Sequence, residues 1–192
     1  MIKNQQLPQI PKKTMDRFLE YLRFTKAKKH IPKGAYLLDV GTGDGSFLRF
    51  LNGHILSGVG IDPLITTTIH SKDWTLQPGT FPQDFHTEGR FDVITLLAVV
   101  EHIPDDELHQ VVDTCWNHLK PGGRVIITVP HPFVDKILDV LKFLKIIKGL
   151  SLEEHHGFNP EVLPDVFCRW KLIKKERWEL GCNYLFIFET DL

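Results

Sequence analysis

The chain has 192 residues, 42% of them hydrophobic, and its 23 basic and 24 acidic side chains give a formal net charge of −1. This size suits one domain, residues 1–192, with a single core, and the balanced charge argues against nucleic acid as a partner. Three cysteines without CxxC spacing argue against a disulfide framework and a zinc finger, and no apolar run is long enough for a transmembrane segment, so we expect a cytoplasmic protein.

Residues 1–13 predict a loose amino-terminal arm without the apolar core of a signal peptide. A helix follows from Thr14, which is placed as its N-cap. The apolar residues that follow have the i, i+3, i+4, i+7 spacing of one buried helix face; they are Met15, Phe18, Leu19 and Leu22. We interpret the basic stretch KAKKHIPKG as the solvated helix end, with phosphate binding as the alternative.

Four runs are apolar on both faces, as buried parallel strands are; they cover residues 36–40, 57–61, 91–97 and 124–129. A weaker strand is predicted near 74–76, and helices near 45–52 and 105–119. Two strands near the carboxyl end flank Gly181 and predict an antiparallel pair at one sheet edge. The alternation of strands and helices predicts an α/β sheet with helices on both faces.

The stretch LLDVGTGDGSF joins the first strand to the first helix and lies at the edge of the sheet where ligands of such folds bind. Glycines at 41, 43 and 45 let the backbone approach a ligand. A dinucleotide fingerprint has its third glycine one residue later, and Asp39 would repel a pyrophosphate. Asp39 instead predicts a ligand that carries positive charge.

A second acid ends the next strand, where Asp62 in GVGIDP can accept hydrogen bonds from both hydroxyls of a ribose. A helix cap with Pro63 in the first turn is the alternative role of Asp62. A nucleoside with free hydroxyls and a cationic amino-acid tail is S-adenosylmethionine, which we therefore predict as the cofactor.

The segments LLDVGTGDGSF, GVGIDP, FDVITLLAVVEHI, LKPGGRVIITVP and EHHGFNPE occur in an order that resembles the class I S-adenosylmethionine-dependent methyltransferases. The resemblance is to the small-molecule branch that includes quinone-biosynthesis O-methyltransferases. It implies a doubly wound, seven-stranded, mostly parallel sheet of Rossmann-like methyltransferase fold with an antiparallel edge strand. It also implies methyl transfer to a small-molecule acceptor.

The resemblance assigns cofactor-binding roles to residues along the sheet edge. Asp39 to Gly45, with Gly41, Thr42 and Gly43 between them, would line the methionine end and the ribose. Asp62, followed by Pro63, would hold the ribose hydroxyls, while Leu96 and Leu97 would border the methionine moiety. In the adenine turn, GTFPQDF replaces the usual GDA-like sequence, so Thr80 stands where the family has an acid and Phe81 would cover the ring or belong to the core. Asp84, four residues late, is a lesser candidate.

Methyl transfer requires a base only when the acceptor must lose a proton. The candidates are Glu101, His102, His131, His155 and His156, although Glu101 and His102 equally suit a simple turn into the next helix. In the quinone-related relatives a glutamate three residues before the EH pair helps to form a divalent-ion site. This chain has Ala98 there, so we predict no metal site.

The segment FVDKILDVLKFLKIIKGL, residues 133–150, has a narrow polar stripe and a wide apolar face. A core helix with snorkelling lysines is one interpretation. The others are a lid or acceptor-side insertion, over residues 133–157, a self-association surface, and contact with an anionic membrane surface. Two alternative functions also remain at this point: a methyltransferase-like binding protein without catalysis, and a nicotinamide-dependent oxidoreductase.

Overall fold

The computed structural model describes residues 14–130, 158–178 and 181–191. Its helices are α1 (Thr14–Lys28), α2 (Ser46–Phe50), α3 (Asp105–His118) and α4 (Leu163–Val166), with 3₁₀ turns at Val100–His102 and Pro160–Val162. Its strands are β1 (Tyr36–Val40), β2 (Ser57–Asp62), β3 (Ile69–His70), β4 (Trp74–Pro78), β5 (Phe91–Leu97), β6 (Leu119–Pro130), β7 (Lys171–Trp178) and β8 (Asn183–Glu189).

The strands form one sheet in the order β3-β4-β2-β1-β5-β6-β8-β7. The five strands from β4 to β6 run parallel, and β8 lies antiparallel between β6 and β7, as the carboxyl-terminal sequence predicted. The predicted mostly parallel α/β sheet is therefore confirmed. The predicted count of seven strands is wrong, because β3 adds an eighth that pairs with β4 over only two residues. A strand of two residues has no periodicity to detect.

Helices cover both faces of the sheet, which is what apolar residues on both sides of the central strands require. On one face, α1 and α2 pack over Leu37 and Val93. On the other face, α3 and α4 pack over Leu38 and Ile94. Because Leu37 and Leu38 are neighbours in β1, their side chains point to opposite faces and enter the two halves of the core.

The predicted buried face of α1 is wrong in part. Phe18 and Leu19 are exposed, at 55% and 38% of their surface. The contact with the core is instead made by the carboxyl-terminal half of the helix, where Ala27 is buried and the Phe24 ring lies 4.8 Å from that of Phe47 in α2. The amphipathic spacing gave the correct helix but not the part of its length that meets the core.

The boundaries of β6 also differ from the prediction. The strand begins at Leu119, not at residue 124, and its register with β5 shifts between the pairs Phe91–Leu119 and Val93–Arg124. A tight turn is accommodated in this irregularity, where Gly122 has a φ of +72°. Near the carboxyl end, Asn159 caps the Pro160–Val162 turn, since its side chain accepts a hydrogen bond from the Glu161 N–H.

The predictions for the arm at residues 1–13 and for the lid, self-association or membrane-contact segment at residues 133–157 concern parts of the chain outside the described residues, and they stay predictions. Within the three described ranges, no helix is both long and apolar enough to cross a lipid bilayer.

Candidate functional site

The turn that joins β1 to α2 folds back against the end of β2. The N–H groups of Gly41 and Thr42 both donate to the carbonyl of Ile61, at 2.9 and 3.2 Å. The three glycines of the turn have positive φ values, +68° at Gly41, +57° at Gly43 and +75° at Gly45, a region that side chains disfavour. A Cβ atom on Gly41 would also lie 2.4 Å from a methyl carbon of Val99. Backbone conformation and packing therefore both require glycine at this position.

Asp39 lies in β1 directly before this turn, with only 3% of its surface exposed. Its neighbour in β5 is Thr95, whose hydroxyl donates a hydrogen bond of 2.7 Å to the Asp39 carboxylate. The pKa of Asp39 is raised from 3.8 to about 6, mainly by burial and to a smaller extent by nearby Asp62, against the hydrogen bonds from the Thr95 and Thr42 hydroxyls, which lower it. The fold thus holds an acid whose ionised form lacks a full counter-charge, and a cationic ligand would stabilise it.

Asp62 ends β2 and is buried, with both oxygens in hydrogen bonds to backbone groups. One oxygen accepts from the N–H of Gly43 at 2.7 Å and the other from the N–H of Leu64 at 2.9 Å. The bond to Leu64 is the local capping interaction that the sequence offered as an alternative, although no helix follows. The bond to Gly43 ties Asp62 to the glycine turn. Because each carboxylate oxygen has two lone pairs, both can still accept a hydroxyl donor.

A cavity of about 150 Å³ opens beside Asp39. Five predicted cofactor residues line it, namely Asp39, Gly41, Thr42, Gly43 and Leu97, together with Asp44 and Phe47 from the same turn and helix. The remaining predicted residues are not in its lining: Gly45 is buried against Leu76, Leu96 is fully buried in the core, Pro63 is exposed, and Asp62, Thr80 and Phe81 lie elsewhere.

The other wall of this cavity is α1, which contributes Glu20, Arg23 and Phe24. These residues were not predicted from the sequence, because a helical pattern does not specify which distant strand end the helix covers. Three lining residues are acidic, Glu20, Asp39 and Asp44, and one, Arg23, is basic. The i, i+3 spacing of Glu20 and Arg23 was the available signal, since it places both side chains on one helix face.

The predicted adenine turn follows β4. The N–H of Thr80 donates to the Asp84 carboxylate at 2.8 Å, and the N–H of Asp84 donates to the Thr80 carbonyl at 2.8 Å. The acid that appears four residues late in the sequence is therefore folded back onto the turn. Phe81 is buried and its ring lies 5.4 Å from that of Phe85, which favours the core interpretation of Phe81.

Of the candidate bases, Glu101 and His102 belong to the described residues. Both lie in the 3₁₀ turn after β5, where Glu101 is buried and His102 is exposed. They line a second cavity, of about 670 Å³, beside the start of α3. His131, His155 and His156 lie outside the described residues, and their catalytic roles stay predictions.

A family model described as a methyltransferase domain matches residues 7–162. Among curated relatives, the chain is 26% identical over 163 residues to a ubiquinone biosynthesis O-methyltransferase of Azotobacter vinelandii, a match that covers 78% of this chain and 68% of that protein. It is 25% identical over 146 residues to the Coxiella burnetii protein of the same name, and this match covers 72% of the chain. The match spans 62% of the Coxiella protein, less than two thirds of its length.

Solved structures share the fold at low sequence identity. A protein of Pyrococcus horikoshii, PH0226, superposes with a TM-score of 0.68 at 15% identity and covers 93% of both chains. The N-methyltransferase NodS of Bradyrhizobium japonicum, in complex with S-adenosyl-L-homocysteine, gives a TM-score of 0.63 at 13% identity and covers 92% of this chain and 88% of its own. At these identities the similarity establishes a common fold.

Proposed function

The chain belongs to the family of methyltransferase domains, and from this premise we propose that it is an S-adenosylmethionine-dependent enzyme that methylates a small-molecule acceptor. The observation that carries the proposal is the buried Asp39 carboxylate at the cavity between the glycine turn and α1. A cavity of about 150 Å³ is smaller than the roughly 300 Å³ of ordinary ligand pockets, so it receives the amino-acid end of the cofactor and not the nucleoside.

The charges around this cavity suit the amino-acid end of S-adenosylmethionine. Asp39 faces the ammonium group, and ionisation of the buried acid is favoured when that cation arrives. Arg23 is the one basic residue in the lining and receives the carboxylate, for which a guanidinium offers two parallel donors. Asp44 is already paired with Arg49 at 3.5 Å, so the buried Asp39 carboxylate is the charge that favours a positively charged sulfonium nearby.

The nucleoside extends from the cavity along the sheet edge. Asp62 accepts hydrogen bonds from the ribose hydroxyls with the lone pairs that its two backbone bonds leave available. Asp84, and not Thr80, supplies the acceptor for the exocyclic amine of adenine, because its carboxylate is held at the turn by the Thr80 N–H. Leu64, with 60% of its surface exposed two residues after Asp62, offers an apolar surface for the ring.

When bound, the cofactor supplies a methyl group on a positively charged sulfur. The transfer would be an in-line displacement at this methyl carbon, in which the carbon–sulfur bond breaks and the thioether of S-adenosylhomocysteine, with a neutral sulfur, is the leaving group. The protein aligns the reacting atoms and excludes water, which supplies most of the rate enhancement. Where the acceptor carries a proton, Glu101 or His102 receives it, since both lie in the 3₁₀ turn after β5 and line the larger cavity.

The proposal is tested by isothermal titration calorimetry with two ligands, S-adenosylhomocysteine and 5′-methylthioadenosine, which lacks the amino-acid end. We expect Asp39→Asn to weaken the first ligand at least about tenfold and to leave the second unchanged. Asp62→Asn should weaken both ligands. Tighter binding of NADH than of S-adenosylhomocysteine would support an oxidoreductase, and cofactor binding without turnover of any acceptor would support a binding protein.

We also propose that the protein works in the cytoplasm. The support is its cysteine chemistry: Cys115, Cys168 and Cys182 are all free thiols, and Cys168 is exposed. Free exposed thiols are typical of reducing compartments. Fractionation of cells that produce the protein at native level, followed by immunodetection, tests this location.

A further inference from the structure

Arg49, in the last turn of α2, holds the glycine turn through contacts with Asp44. Its Nη1 atom donates a hydrogen bond of 2.5 Å to the Asp44 carbonyl, and its Nη2 atom lies 3.5 Å from the Asp44 carboxylate. Nη2 also donates to the Ser46 hydroxyl at 2.9 Å. One guanidinium therefore contacts both the backbone and the side chain of Asp44.

The Asp44 carboxylate is also fixed by its own turn. It accepts hydrogen bonds from the Ser46 N–H at 2.9 Å and from the Ser46 hydroxyl. The Asp44 side chain is 14% exposed and that of Arg49 is 34% exposed. Because solvent reaches this pair only in part, its two charges interact more strongly than those of a fully exposed ion pair. Arg49 thus offsets much of the Asp44 charge.

Asp44 lines the smaller cavity, of about 150 Å³, together with Asp39 and Arg23. Arg23 is the residue to which the proposed function assigns the carboxylate of the cofactor. A negative charge on Asp44 would repel that carboxylate and would compete with it for the donors of Arg23. Because Arg49 attracts the Asp44 carboxylate from the side of α2, it reduces both effects.

The ammonium group of the cofactor responds to the Asp44 charge in the opposite way. An ammonium is attracted by Asp39 and by any further negative charge near it. The Asp44 charge therefore disfavours a ligand tail that carries a carboxylate and favours a tail that carries only an amine. By offsetting this charge, Arg49 changes the relative affinity for the two kinds of tail.

We propose that Arg49 is a positioning residue that makes the site selective for a cofactor with a complete amino-acid end over one that lacks the carboxylate. The inference rests on the proposed methyltransferase function. Arg49 is not among the described residues that line the smaller cavity, so it acts through Asp44 and not by contact with the cofactor. With Arg49 in place, Asp44 competes less for Arg23.

The test compares S-adenosylhomocysteine with its decarboxylated analogue, which keeps the amine and the thioether. Calorimetry gives both dissociation constants, and selectivity is their ratio. The wild type should bind S-adenosylhomocysteine at least about tenfold more tightly. Arg49→Met removes the charge but keeps a long side chain, and it should lower this selectivity at least about threefold. An equal loss of affinity for both ligands would mean that Arg49 only holds the turn, and it overturns the proposal.

Lys28→Met is the matched control. The Lys28 ammonium lies 5.0 Å from the centre of the Phe50 ring, next to Arg49 in the chain, so this variant removes a cation near the same helix. It should leave the selectivity unchanged. Arg49→Lys restores the charge and should keep the selectivity within about twofold of the wild type. A selectivity that falls as far in either variant as in Arg49→Met overturns the proposal.

Asp44→Asn tests whether Arg49 acts through Asp44. Asparagine can still accept the Ser46 N–H but has no charge, so selectivity for S-adenosylhomocysteine should rise at least about twofold. Adding Arg49→Met to Asp44→Asn should change selectivity less than Arg49→Met does alone, and equal effects in the two backgrounds overturn the proposal. Asp44→Asn also decides the question if Arg49→Met does not fold, because an unchanged or lower selectivity in this variant contradicts the role of Arg49.

The wild-type affinities separate the two levels of the argument. If the wild-type protein does not bind S-adenosylhomocysteine, the proposed function fails. If it binds both ligands equally well, the site has no selectivity for Arg49 to supply, and only the proposal about Arg49 fails. The same holds if the wild type is selective and Arg49→Met leaves the selectivity unchanged.

Discussion

Asp39→Asn should make the protein more stable and less able to bind its ligand. In the folded state the pKa of Asp39 is raised from 3.8 to about 6 by burial. Below pH 3.8 the acid is protonated whether or not the chain is folded, and it contributes no pH dependence. Between these two values the folded state keeps a proton that the unfolded state has released, so stability falls as the pH rises. Above about pH 6 the loss is complete.

The size of this loss follows from the two pKa values. One pKa unit corresponds to about 1.4 kcal/mol, so the difference between 3.8 and about 6 is worth at most about 3 kcal/mol. An asparagine cannot ionise and avoids this cost, and its side-chain oxygen can still accept the hydrogen bond from Thr95. The variant should therefore unfold at a higher urea concentration than the wild type at pH 8, by up to about 3 kcal/mol in free energy, and show no gain near pH 4.

The measurement is urea unfolding followed by circular dichroism at pH 4 and pH 8, with S-adenosylhomocysteine affinity at pH 8. Asp92→Asn is the matched control. Asp92 lies in the same sheet, but its carboxylate is paired with Lys120 at 2.8 Å and accepts the Tyr36 N–H. That variant should lose stability and keep its affinity. An Asp39→Asn protein no more stable than the wild type at pH 8 would refute the argument that burial leaves this charge uncompensated.

Two further predictions concern the residues that hold this site in place. Thr95→Val removes the hydroxyl that donates to Asp39 at 2.7 Å, so the pKa of Asp39 should rise. The pH below which S-adenosylhomocysteine affinity is lost should then move upward, and affinity at pH 7 should be about tenfold lower. Thr95→Ser should restore the wild-type pH profile, whereas an unshifted profile in Thr95→Val would contradict this role of Thr95. Gly41→Ala should destabilise the protein by about 2 kcal/mol more than Gly53→Ala in thermal unfolding. Both positions have positive φ, +68° and +71°, but only a Cβ atom at position 41 would meet a neighbour, a methyl carbon of Val99 at 2.4 Å. Equal losses of stability in the two variants would show that this contact is relieved without cost.

Most of the sheet could be predicted from the sequence, because its central strands are apolar on both faces and its turns carry glycine. The runs at residues 36–40, 57–61 and 91–97 correspond to β1, β2 and β5. The predictions that failed concern short-range pairing and the degree of burial of single side chains. The pairing of β3 with β4 involves two residues, and the exposure of Phe18 depends on where α1 leaves the sheet. The periodic pattern of apolar residues predicts neither the two-residue pairing nor the exposure of Phe18.

The candidate site was predictable where it is contiguous in sequence. Asp39 and the glycines after it lie together because one turn carries them. Arg23 reaches the same cavity from α1, and that contact depends on how the helix packs, which no spacing in the sequence specifies. The role of Asp84 could not be predicted from sequence spacing either, although Asp84 lies close to the turn in the chain. Its position four residues after Thr80 argued against a role in the turn, yet a single backbone hydrogen bond returns its carboxylate there.

The segment after β5 explains why the two cavities lie side by side. Ala98 has a φ of +58°, a left-handed conformation that costs a non-glycine residue about 1 kcal/mol. It is held by the hydrogen bond from its N–H to the Thr128 carbonyl, at 2.8 Å, because that bond continues the pairing of β5 with β6. The strained residue turns the chain sharply between Leu97, in the smaller cavity, and Glu101, in the larger one. The stability of the sheet thus compensates for a local conformation that a regular strand would not adopt, and that conformation joins the walls of the two cavities.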